Sequence, residues 1–393
     1  MMPSSPAQTP TPAGLEGTGP AQWLQQCWVQ GITAEWGVRL STLGPEALVA
    51  GGDPDTVAAM QAFAAMAAMG RGNYELADQL LGPQPQARCP AALLLNSAAR
   101  LYRACGDGGQ DPASALMAMN ALNEARQRLG NTPGPEAATA RGYAGLALAE
   151  ALLGVGDVGA ARHQLALVVE EGQAPPVVLA AVRSILGGIE LTVGRGDLAI
   201  GHLQAAVRAA AGLPAEEQVV RLLLCGAVLC TDRRYGTALL EEFQRRYPPR
   251  SPSGQGATAR LARLLRLLAH AGASEGAVVT APTGSPYPLA VRLEVRELLR
   301  HLQGRHYSVG WFLLFTSICA GALQAGGDPC EAYSVLVHAA ATLRCRRMDG
   351  AAELCDRQIE ALRHQLGEDR FEALLNEARH RRMLLQGQAA ERA

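Results

Sequence analysis

The sequence predicts an all-α protein built of helix pairs stacked side by side, an α-solenoid. Three observations predict it. Ala77, Ala115, Ala161, Ala199 and Ala238 each sit just inside a helix that follows a glycine-rich turn, at intervals of 38, 46, 38 and 39 residues. At such a period single helix pairs cannot bury their apolar faces alone and must stack. Asp53-Pro54, Cys89-Pro90, Gly134-Pro135, Pro175-Pro176 and Leu213-Pro214 each precede an alanine- and leucine-rich run, and proline is tolerated in the first helical turn, where its missing N–H would be unpaired. Aromatic residues are only 4% of a chain that is 48% apolar, so the core is made of small and medium helix formers packed closely.

In order along the chain, residues 1–19 carry neither a basic nor an apolar leader region and read as a flexible tail rather than a signal peptide. The repeat array is expected over 20–250. Its first helices fall near 54–69, 90–104, 135–153, 175–193 and 214–230, and their partners near 74–81, 112–129, 158–171, 197–211 and 234–247. Residues 251–256 and 272–286 are rich in glycine, serine and proline and read as mobile connections framing an amphipathic helix at 257–271. Helical pattern resumes over 287–393, near 288–303, 308–325, 329–345, 349–365 and 369–385. Gly326-Gly327-Asp328 with Ala332 and Leu336 reads as a further, degenerate repeat turn.

Residues 307–327 run for 21 positions without a charge, about the length a membrane helix needs. The stretch also holds Gly310, Thr316, Ser317 and Gln324, and its aliphatic and aromatic part, Val309 to Phe315, is short. It is therefore expected to be a helix buried on all sides within the array. No membrane association is expected.

The turn segments Gly72-Asn73-Tyr74-Glu75-Leu76-Ala77, Gly156-Asp157-Val158-Gly159-Ala160-Ala161 and Gly194-Arg195-Gly196-Asp197-Leu198-Ala199 resemble those of tetratricopeptide repeats: a glycine, a hydrophobe, then an alanine at the helix crossing. Leu81, Met119, Leu165, Leu203 and Glu242 follow the alanines by four positions, and Ala65, Ala149, Gly187 and Gly226 precede them by twelve. The resemblance implies a right-handed superhelix of helix pairs with a concave groove lined by the first helices. By that alignment the partner-binding groove comprises Met66, Met69, Tyr143, Leu146, Glu150, Ser184, Leu191, Val220, Leu223 and Cys230, a largely apolar wall suited to an apolar helix or extended peptide, the protein's own tail and a neighbouring helix among them. Residues 362–371 are weakly similar to the helical-repeat regions of bacterial LuxR- and MalT-like regulators.

All 35 basic residues are arginine, as a GC-rich coding bias produces. Residues 1–232 hold 13 arginines against 20 acids (−7), and residues 233–393 hold 22 against 16 (+6). Arg260, Arg263, Arg266, Arg292, Arg296 and Arg300 form a basic patch. Three readings compete for it: a solvated, ion-paired helix face, an acidic protein partner, or nucleic acid. The missing aromatic interleaving disfavours the last. The nine cysteines contain no C-x-x-C pair and read as buried hydrophobes of a reducing compartment, so the expected location is the cytoplasm and no metal or cofactor is expected. No phosphate loop, nucleophile elbow or metalloprotease signature occurs. The expectation is a non-catalytic scaffold or adaptor that binds another protein or peptide. The alternative is a regulatory sensor that binds a peptide or small ligand and controls transcription or an ATPase in trans.

Overall fold

A computed structural model describes residues 20–40, 53–83, 87–106, 112–248, 257–271, 289–304 and 308–390. The tail at 1–19 and the connections at 251–256 and 272–286 lie outside the described residues. Those residues form eighteen helices and no strand.

Two short helices, α1 (Pro20–Gln30) and α2 (Ala34–Leu40), come first, and sequence reasoning missed both. Five pairs follow: α3 (Pro54–Gly70) with α4 (Tyr74–Leu81), α5 (Pro90–Gly106) with α6 (Pro112–Leu129), α7 (Pro135–Gly154) with α8 (Val158–Glu171), α9 (Pro176–Thr192) with α10 (Gly196–Ala209), and α11 (Pro214–Thr231) with α12 (Arg233–Arg246). Then come α13 (Ala257–Ala271), α14 (Leu289–Gly304), α15 (Val309–Ala325), α16 (Pro329–Cys345), α17 (Asp349–Leu366) and α18 (Glu368–Ala390). The ends predicted for α3 through α17 fall within about two residues of those observed, because proline starts and glycine stops are local signals.

One turn geometry recurs. Gly72, Gly156, Gly194 and Gly327 adopt φ of 77°, 85°, 78° and 85°, and Arg347 takes the same left-handed role at 57°. In each case the next residue donates its N–H five residues back, as Asn73 to Ala68, Asp157 to Leu152, Arg195 to Glu190, Asp328 to Leu323 and Met348 to Leu343. This is the Schellman closure of a helix C-terminus. That same residue then caps the next helix, and its carbonyl accepts the N–H four residues on, from Ala77, Ala161, Ala199, Ala332 or Ala352. All five alanines are buried. The turn anticipated at Gly326-Gly327-Asp328 is therefore present, and another occurs at Arg347-Met348.

The alanine register fails at the fifth pair. Asp232 caps α12, so its fourth successor is Gly236, buried, while Ala238 is exposed. A Cβ on Gly236 would stand 2.6 Å from the backbone nitrogen of Leu229, so the close crossing of α11 and α12 is made there. The residue four further on is correspondingly the buried Leu240, and Glu242 is exposed. Ala115 is only half-buried.

Successive pairs touch through α3 on α5, α5 on α7, α8 on α9 and α10 on α11. The chain then folds back. Helix α15 lies on α7, α9 and α11, while α17 reaches α7 and α9. At that return, a Cβ on Gly350 would stand 2.1 Å from the carbonyl carbon of Val155, so the start of α17 meets the α7–α8 turn backbone to backbone. No helix among the described residues is long and apolar enough to cross a membrane.

Overpacking a tight crossing typically costs about 1–3 kcal/mol, while exposed sites tolerate change within about 0.5 kcal/mol. Gly236→Leu is therefore expected to lower the urea midpoint clearly, and Ala238→Leu to leave it nearly unchanged. Equal midpoints for the two variants would return the crossing to Ala238.

Candidate functional site

The chain itself covers most of the first-helix residues predicted to line a groove. Of α15, Val309, Phe312, Leu313, Leu314, Phe315, Ile318 and Leu323 are all buried, as expected for residues 307–327. A Cβ on Gly188 of α9 would stand 2.9 Å from the Cβ of Leu314, and one on Gly226 of α11 would stand 2.5 Å from Ile318 Cγ2. Glycine thus lets α15 sit directly on both helices. Burying seven large apolar side chains at about 1.5–3 kcal/mol each amounts to roughly 10–20 kcal/mol, comparable with the whole stability of a domain, about 5–15 kcal/mol. Helix α15 is a part of the core and not a plug that a partner displaces.

The groove residues take different places under this cover. Met66 is half-buried and Met69 buried on α3. Tyr143 packs edge-on to Phe63 at 5.9 Å, and its hydroxyl accepts the Ile32 N–H at 2.7 Å, so the segment joining α1 to α2 closes that end. Leu146, Val220 and Leu223 are buried. Ser184 is fully buried and donates to Ala180 O at 2.8 Å. These residues build the core, a correction to the open partner groove. No local pattern shows that a helix 160 residues away in sequence lies on these residues.

Glu150, the one acid in the predicted groove, is 3% exposed. Its Oε1 accepts the Ser308 hydroxyl and its Oε2 the Gly310 N–H, each at 2.8 Å. A side chain of α7 therefore caps the N-terminus of α15, where unpaired N–H groups and the helix dipole favour an anion. Burial pushes its pKa up from the ordinary 4.5 to about 6, against the opposing effect of these hydrogen bonds.

Leu191 and Cys230 do reach open space. They line a half-open cleft of about 450 Å³ between the α9–α10 turn, the end of α11, α15 and α17. Sequence reasoning missed its polar groups. One wall is α15, through Ser317, Ala320, Gly321 and Gln324, and the facing wall is α17, through Gln358, Ala361 and Gln365. Both sets follow helical i, i+3/i+4, i+7 spacing. Ser317 and Gln324 were visible as polar interruptions of an apolar helix, but their meeting with α17 depends on tertiary packing. The Gln358 amide donates to Ser317 Oγ at 3.1 Å, and Gln324 donates to Gln365 Oε1. The Cys230 thiol is pushed up to about 12 by burial, so it stays protonated near neutral pH.

The basic patch is answered largely from within. Helices α13 and α14 pack together, and Arg263 pairs with Glu294 at 3.2 Å. Arg260 lies 3.9 Å from Glu294 and 3.6 Å from Glu297, to which Arg300 also pairs. Arg266 donates to Ala262 O at 3.2 Å, and Arg292 and Arg296 bear on the buried Glu331 of α16. The charges were legible in sequence, but the acids that Arg260, Arg263, Arg292 and Arg296 meet lie on adjoining helices. Among the described residues no group of three or more histidine, cysteine or acidic side chains is placed to hold a metal.

Because the native state holds the Glu150 proton more tightly than the unfolded chain between pH 4.5 and about 6, its contribution to stability is full below 4.5 and is lost as pH rises through 6. The loss amounts to about 2 kcal/mol. Denaturant titrations across that window should show this decline, and Glu150→Gln should flatten it; an equal slope in the variant would assign the decline to other groups.

No family model, curated protein or solved structure matches this chain.

Proposed function

We propose that this chain is a non-catalytic, protein-binding scaffold or adaptor of tetratricopeptide-like helix pairs, arranged as a right-handed superhelix whose inner face is closed by α15. The recurring capped turn and the buried alanine four residues beyond each cap support the repeat reading. The partner-binding reading rests on one observation, exposed apolar side chains at equivalent positions of successive turns. Val155 and Val193 each precede the left-handed glycine of their turn and are 75% and 48% exposed. Leu198 and Tyr235 each stand three residues past a helix cap and are 49% and 56% exposed. Equivalent positions in stacked pairs repeat along one edge at the interhelical spacing of about 8–10 Å. Apolar side chains presented at regular spacing on a rigid frame suit a protein partner.

Affinity capture from the source cells, with the full chain as bait, should retain a protein at constant stoichiometry. The double variant Val193→Glu with Tyr235→Glu should lose it while keeping the parent melting temperature. Leu116→Glu, a change at an exposed α6 side chain outside that edge, should retain it. Retention by the double variant, or no stoichiometric partner at all, would defeat the scaffold reading.

The cleft favours a second reading, a regulatory sensor. A small ligand present at 1,000 times its Kd would raise stability by about 4 kcal/mol. A thermal-shift screen of small metabolites with no shift would remove it.

A further inference from the structure

We infer that the cleft between the α9–α10 turn and helices α15 and α17 is the docking site for a short extended segment of a polypeptide partner, held mainly through its backbone amides. The inference rests on the scaffold reading and names where and how a partner chain is gripped.

The first argument is the chemistry of the walls. Gln324 on α15 faces Gln358 and Gln365 on α17, and Ser317, Thr192 and Thr231 line the same space, the two threonine hydroxyls donating to carbonyls of their own helices and keeping only acceptor capacity. A primary carboxamide offers two donors and an acceptor, the complement of a peptide unit, which carries one donor and one acceptor. The bonds from Gln358 to Ser317 and from Gln324 to Gln365 each use only part of that capacity. They also hold the amides at the rim in a set orientation before anything binds. Uncharged amides and hydroxyls can pair with a backbone of any sequence, and they do so without the large desolvation cost of charged groups.

The second argument is shape. Between the polar ends of each wall stand Ala320, Gly321 and Ala361, which leave room where larger side chains would close the gap. The floor is apolar, through Leu336, Leu354 and Leu362, and suits small aliphatic side chains alternating inward along an extended chain. A volume of about 450 Å³ falls within the range of about 300–1,000 Å³ typical of ligand sites, which ordinarily bury most of a small ligand. This cleft is instead half-open, so a chain can enter and leave it. At one end its lining is Val193 and Gly194, and Val193 is one of the exposed apolar side chains at the turns. A polypeptide in the cleft therefore also meets an exposed apolar side chain of the turn. Among the described residues the one charged lining side chain is Arg357, exposed and no nearer than 3.9 Å to Glu353, a loose surface pair that leaves its charge largely unanswered. It favours a neutral or acidic segment over a basic one.

The test uses the full chain against a displayed library of random twelve-residue peptides, followed by calorimetric titration of synthetic copies of the enriched sequences. Enriched peptides are expected to bind with Kd in the micromolar range and to be poor in arginine. Ala361→Trp, a change at an exposed α17 position that fills the cleft, should weaken them at least tenfold. Gln365→Ala should weaken them about threefold or more, with the melting temperature of each variant matching the parent. Peptides that bind the Ala361→Trp chain as tightly as the parent would overturn the cleft assignment. If those peptides were lost instead from a Leu198→Glu, Tyr235→Glu chain, neither residue of which lines the cleft, the scaffold reading would survive without the cleft. No enrichment over a blank surface would overturn the inference outright. Stabilisation by free amino acids or dipeptides, lost in Ala361→Trp and unaccompanied by peptide binding, would give the cleft to a small ligand and also overturn it.

Discussion

The close seating of α15 on α9 and α11 is the constraint on which the rest of the molecule depends. It requires glycine where the helices cross, Gly188 beneath Leu314 and Gly226 beneath Ile318, because a single Cβ at either place would stand under 3 Å from a neighbour. Backbones that approach this closely place α15 across the inner face of the helix pairs. Everything downstream follows from that position. Helix α16 packs on α15, α17 returns to the α7–α8 turn, and the gap left between α15 and α17 becomes the cleft.

Polar groups then secure what apolar burial begins. Glu150 supplies the cap that α15 lacks from its own sequence, since Ser308 at the cap position makes no side-chain cap bond, and Ser308 itself donates to Glu150. Elsewhere, Glu190 is fully buried on α9 and lies 2.9 Å from Arg162 of α8 and 3.7 Å from Arg195 at the start of α10. One carboxylate thus ties three successive helices. Buried ion pairs of this kind add little net stability, because desolvation offsets attraction. They do penalise any register that would leave the carboxylate alone. At the far end Asp328 caps α16 and accepts from Arg381 of α18 at 3.1 Å, so the last helix is held by the same side chain that starts α16.

The division between core and contact surface follows from this packing. First helices that would line an open groove in an array of bare pairs are here spent on holding α15 and the α1–α2 segment. The cleft beside the α9–α10 turn stays half-open, and Val155, Val193, Leu198 and Tyr235 at the turns stay exposed. The two meet at Val193, which with Gly194 forms one end of the cleft. The basic patch is a joint between α13, α14 and α16, in which Glu294, Glu297 and Glu331 meet arginines of neighbouring helices.

By itself the sequence determined the helices, their ends and most of the turns, since proline, glycine and capping residues act within about five residues of where they stand. It even marked α15 as buried, through a charge-free run too polar and too interrupted for a membrane. It misplaced the crossing at α12 by two residues, because Asp232 follows α11 without the left-handed glycine that marks the turns at Gly72, Gly156 and Gly194. It missed α1 and α2, which are short and have no alanine-rich pattern, and whose burial comes from Trp28 and Trp36 meeting other helices. Tertiary structure alone decided which residues form core and which form site. Glu150 became a cap, Leu223 a core residue, and Gln324 and Gln365 the rim of a cleft. Each of these roles joins positions far apart in the chain, and such meetings are decided by how whole helix faces fit, which no local pattern encodes.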